Sequence, residues 1–75
     1  MENNREIGWL NKSRSRNTIV LYEDIDDPWF VEVVTKVKKS GEVTRTSIMI
    51  RKDVDVYLDM LVREGWVWYK KEGNI

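Results

Sequence analysis

The feature that most constrains this chain is a change of hydrophobic period near Lys52. From Trp29 onward Trp29, Val31, Val33 and Val37 alternate with Phe30, Glu32, Val34, Lys36 and Lys38, which is the period of two that a strand imposes on its side chains. Lys39-Ser40-Gly41-Glu42 supplies the glycine and small polar residues of a hairpin loop. Val43 to Ile50 then alternates again, with Thr44, Thr46, Ile48 and Ile50 opposite Arg45, Ser47 and Met49. Past Lys52 the apolar residues Val54, Tyr57, Leu58, Leu61 and Val62 recur at the spacing of a helical stripe. Asp53 is placed to cap that helix or to complement its dipole, and Gly65 suits the left-handed position that ends one.

Upstream, Asn17 to Tyr22 is rich in β-branched residues and reads as a strand, and Asp26-Asp27-Pro28 marks a turn. Ile7 to Leu10 adds a short first strand, Asn11 to Ser15 an exposed loop, and Trp66 to Tyr69 an extended segment. Residues 1–5 and 70–75 are polar and read as loose ends. The pattern predicts one α+β domain over residues 1–75: an antiparallel meander of three to four strands, one amphipathic helix, and a short final strand. With one helix on one sheet face, Trp29, Val31, Val33 and Val37 should oppose it together with Ile48 and Ile50. Each such burial contributes roughly 1.5 to 3 kcal/mol before chain entropy is subtracted.

Composition excludes whole classes of chemistry. There is no cysteine and no histidine, so disulfides, thiolate metal sites, thiol nucleophiles and the commonest general base are all missing. The glycines at 8, 41, 65 and 73 are scattered singly and form no phosphate loop. Glu23, Asp24, Asp26 and Asp27 match no calcium-loop spacing and read as a solvated turn. No enzyme, cofactor or metal is expected. The polar N-terminus, and the lack of any stretch long enough for a membrane span, point to an intracellular protein, cytoplasmic or nucleoid-associated. A chain of 75 residues builds one marginal core, which makes a partner subunit a natural expectation. Net charge is zero, yet it is segregated: Lys12, Arg14 and Arg16 are followed by the acidic turn, then by Lys36, Lys38, Lys39 and Arg45.

Strand parity leaves Phe30, Lys36, Lys38, Arg45 and Ser47, with Tyr22, Val34 and Met49, on the uncovered face. Rings mixed with cations suit single-stranded DNA or RNA, whose bases stack while its phosphates meet the charges. The plainer account is a solvated face whose lysines discourage edge pairing. The competing functional account is a small protein-interaction module, such as a viral or mobile-element factor that docks on a host protein through its apolar strip. Among the four tryptophans, Trp66 and Trp68 share a strand face and could stack on a partner subunit, on bases or on the domain's own helix. Tyr57 and Leu61 could meet a partner helix, which completes the candidate dimer interface.

The order of elements resembles the positive cofactor four family of transcriptional coactivators. The counterparts are Ile7-Gly8, the arginine-led strand Arg16 to Tyr22, the alternating strand Phe30 to Val37, Gly41-Glu42, the triplet Ile48-Met49-Ile50, and the helix Asp53 to Val62. The family's proline-glycine-basic-glycine run is replaced here by Val43 to Ser47, and Trp66 to Tyr69 is additional. The resemblance implies a homodimer that holds single-stranded or melted DNA in transcription, replication or repair. It assigns backbone contacts to Arg14, Arg16, Lys36, Lys38 and Arg45, and stacking to Tyr22 and Phe30.

Overall fold

A computed structural model describes residues 4–71; residues 1–3 and 72–75, within the two predicted loose ends, lie outside the described residues. Strands β1 (Asn4–Asn11), β2 (Asn17–Asp24), β3 (Asp27–Val37) and β4 (Val43–Ile50) lead through a single 3-10 turn (Arg51–Asp53) into helix α1 (Val54–Arg63) and strand β5 (Val67–Lys70). The architecture is α+β, with one five-stranded antiparallel sheet in the order β4-β3-β2-β1-β5. The meander, the helix and the short final strand of the sequence reading are present, and the final strand joins the same sheet to make five strands in all. The first strand runs over eight residues because it pairs with β2 along its length, and β5 returns to pair with the outer side of Gly8 to Asn11. Asn4, Arg5 and Lys70, predicted to be loose, are therefore paired in the sheet.

The core lies between α1 and one face of the sheet. Leu10, Ile19, Leu21, Val31 and Val33 rise from β1, β2 and β3 to meet Val54 and Leu61, and Met49, Leu58, Trp66 and Trp68 close the rim. The helix enters through the 3-10 turn, with the Val54 amide bonded to the Arg51 carbonyl, and the Asp53 side chain makes no capping bond. Its exit follows the predicted glycine rule. Gly65 takes φ +104°, its amide donates to Val62 and the Trp66 amide donates back to Leu61, so two orphan carbonyls are satisfied while Trp66 folds onto the core.

One β-bulge overturns the predicted packing of β4. Next to the hairpin Lys36 faces Val43, but the following pair is Thr35 with Arg45, so Thr44 is the extra residue. That slip changes which side chains share a face, because residues directly opposite each other emerge on the same side. Val31 consequently pairs with Met49, and Val33 with Ser47, on the helix side. Ile48 and Ile50, predicted to oppose the helix, stand on the bare face opposite Glu32 and Phe30 and are 69% and 45% exposed. Arg45, Ser47 and Met49 exchange sides with them. Trp29, also predicted to lie under the helix, sits beyond its reach beside the β2–β3 turn and is 72% exposed.

Two further devices fix the ends of the sheet. A second irregularity at Ile7 sets Gly8 opposite Leu21, and the Trp68 indole lies directly over that glycine. At the other end the Glu23 carboxylate accepts bonds from Arg5 on β1 and Arg51 on the 3-10 turn, and Arg51 Nε also donates to the Pro28 carbonyl at 2.7 Å. The arginine guanidiniums hold the Glu23 carboxyl below its ordinary value against the opposing effect of burial.

Candidate nucleic-acid interface

The face without the helix is built in rows that follow the sheet register. Tyr69, Trp9, Val20, Val34 and Thr46 form the central row across all five strands. Trp9 and Tyr69 are stacked, with ring centroids 5.4 Å apart and planes 17° from parallel, and both rings remain partly open to solvent. On one side of that row lies Lys36, and on the other Tyr22. The Lys36 ammonium reaches over to the Tyr22 hydroxyl at 3.1 Å and sits 5.6 Å from its ring centroid. The bridge spans Val20 and Val34, which accounts for two valines being buried on a face that no helix covers.

Charge divides this face along the strands. The β1–β2 loop and the β3–β4 hairpin meet at one end, where the Lys38 amide bonds to the Arg16 carbonyl at 2.9 Å and Lys38 Nζ to the Lys12 carbonyl at 2.8 Å. Together they form a basic pole, and Arg16, Val37, Lys38 and Lys39 line a cleft of about 540 Å³ there. The opposite end carries the β2–β3 turn. Asn4, Asp24, Asp27, Phe30, Glu32 and Ile48 line a cleft of about 330 Å³, within which Asn4 donates to Glu32 at 3.0 Å. Zero net charge therefore conceals two poles of opposite sign.

The candidate residues fall into separate places. Arg14, Arg16, Lys36 and Lys38 converge on the basic pole or on the half of the bare face beside it, and Tyr22 adjoins them beneath Lys36. Phe30 is on the bare face at the acidic pole. Arg45 is on the helix side of the edge strand, where its charge acts on Tyr57; burial is the stronger effect and raises the Tyr57 hydroxyl pKa. Of the candidate dimer residues, Leu61 is buried, and Trp66 and Trp68 pack on the domain's own core. Trp66 also lies under the Lys12 ammonium, 6.0 Å from its ring centroid. Tyr57 is half-buried at the rim.

Sequence reasoning missed Trp9 and Tyr69 as surface rings. Their only signal is alternation: Leu10 and Trp68 point into the core, so the residue beside each in sequence points out. Among the described residues no helix is long and apolar enough to cross a membrane, and no three acidic side chains are grouped to hold a metal ion. No protein family, curated protein or solved structure matches this chain.

Proposed function

We propose that this protein binds single-stranded nucleic acid along the half of the bare face next to the basic pole. The observation that carries the proposal is the stacked Trp9–Tyr69 pair, open on the same surface as Lys36 and Tyr22. Bases stack on these rings, and the phosphates run toward Lys36, Arg16, Lys38 and Arg14. Relative to the residues first singled out, Trp9 and Tyr69 replace Phe30 as platforms, and Arg45 drops out because it faces the helix side. The likeness to the positive cofactor four pattern supports the same reading through the order of four strands and a helix between Asn4 and Arg63.

The test is binding of a fluorescent oligonucleotide at two salt concentrations, comparing single and double strands. Affinity for the single strand should fall steeply as salt rises, because neutralised phosphates release counterions. Tyr69→Ala and Lys36→Glu should each weaken it, the former by about 1 to 3 kcal/mol, the usual value of one stacked base. Binding that is insensitive to salt, or unchanged in both variants, rejects the interface.

A second reading has its own observation. Ile48, Ile50 and Phe30 form an exposed apolar strip on β4 and β3, and β4 is an edge strand whose outer backbone groups have no neighbour in the sheet. Such an edge accepts an extended segment of another protein. A stoichiometric protein partner captured by wild type but not by Ile48→Lys, with no oligonucleotide shift, selects that reading.

A further inference from the structure

The two poles carry opposite charge, and each has a cleft of its own. At the acidic pole Trp29 stands 72% exposed and Ile25 58% exposed, at either side of the Asp26-Asp27 turn in sequence. At the basic pole a cleft with Val37 as its apolar wall is rimmed by Arg16, Lys38 and Lys39. An exposed indole close in sequence to the acidic turn fits a cleft rimmed by cations, and a lysine stem fits a cleft walled by Phe30 and Ile48 with Asp24, Asp27 and Glu32 around it. We infer that copies of this chain associate head to tail, the basic pole of one receiving Trp29 from the acidic pole of the next.

Charge selects this geometry over a twofold dimer made end to end through a single pole. A symmetric contact through either pole would set acid against acid or base against base, whereas the head-to-tail contact places opposite signs across the seam. Because the two surfaces lie at opposite ends of the strands, the contact does not close on itself and generates an open chain. Size sets its strength. The two shorter dimensions of the molecule, 27 and 26 Å, give an end-on area of roughly 550 Å² per partner, near the lower limit of specific interfaces. Assembly is therefore weak, concentration-dependent and sensitive to salt.

The inference does not depend on the proposed nucleic-acid function, and sedimentation velocity without nucleic acid tests it alone. The weight-average sedimentation coefficient of wild type should rise with concentration at low ionic strength and return to the monomer value at about 0.5 M salt, where the screening length is only about 4 Å. Trp29→Lys removes the ring and sets a cation where the basic pole of the next copy would dock, and Lys38→Glu with Lys39→Glu poisons the basic pole. Each variant alone should be monomeric, with self-association at least tenfold weaker. An equimolar mixture should give a capped 1:1 dimer, since one intact pole of each kind remains. All three positions are exposed, so circular dichroism should show wild-type folding. Monomeric wild type at low salt, a variant that still forms chains, or a mixture that stays monomeric overturns the inference. Trp29→Lys lies off the proposed strand path and should keep oligonucleotide binding, so loss of assembly and loss of that function are read separately.

Discussion

Replacing Gly8 by alanine should destabilise the domain through one aromatic neighbour. A Cβ at residue 8 would overlap the Trp68 indole at Cη2, lie 2.7 Å from its Cζ2, and lie 2.7 Å from the Tyr69 carbonyl oxygen. The indole can turn aside only by leaving its seat on the core, and the carbonyl belongs to the β1–β5 pairing, so neither neighbour gives way freely. Overpacking of this kind costs about 1 to 3 kcal/mol. Alanine recovers only about 0.5 to 1 kcal/mol over glycine by limiting the unfolded chain. With obstruction on two sides the net loss should be about 2 kcal/mol, a fall of roughly 8 to 16 °C in melting temperature for a domain of this size. Urea denaturation followed by far-ultraviolet circular dichroism measures it. On a Trp68→Ala background the ring obstruction is gone, and the cost of Gly8→Ala should shrink below about 1 kcal/mol. If the two substitutions are additive to within about 0.5 kcal/mol, Trp68 does not occupy the space above Gly8 and the reasoning fails.

The bulge at Thr44 predicts that Met49→Ala costs about 1 to 3 kcal/mol while Ile48→Ala stays within about 0.5 kcal/mol, and the reverse order in chemical denaturation would restore the unbulged register. Glu23 has a lowered carboxyl pKa in the folded state, so its stabilisation is complete above the unfolded-chain value of about 4.3 and is lost as pH falls through the folded value. Glu23→Gln should therefore flatten the acid limb of stability against pH, and an unchanged limb would show that the two arginines do not act on this carboxylate. Gly65→Ala should cost about 1 kcal/mol in thermal unfolding, because the helix stop needs φ +104°, and no measurable change would mean the helix ends another way.

Much of the fold was legible because period and punctuation agree. Val43 to Ile50 alternates without interruption and is a strand over that span, and the stripe from Val54 to Leu61 is the helix, stopped where Gly65 predicted. The β3 core residues Val31 and Val33 were also correctly placed. The side chains of β4 were misassigned for a specific reason. Without a bulge the hairpin would pair Val31 with Ile48, and hydrophobicity favours that choice over Met49, but Thr44 carries no residue-type signal for an insertion. The same limit applies to the candidate interface. Lys36 with Tyr22 follows from alternation on neighbouring strands, whereas Trp9 and Tyr69 meet only because two segments about sixty residues apart pair at the sheet edge, and pairing partners that distant are not encoded in local pattern. Arg45 followed Ile48 and Ile50 in the wrong direction for the same one-residue slip.

The closing of β1 by β5 also has a consequence for biosynthesis. β5 is synthesised after the other four strands, so β1 and β2 can pair while the outer side of β1 still lacks its neighbour. Throughout that interval the seat above Gly8 is vacant and Trp9 has no ring beside it, which exposes both a strand edge and an indole to other nascent chains. The delivery of Trp68 and Tyr69 is then the step that ends this vulnerability, and a pause in translation just before Trp66 should prolong it.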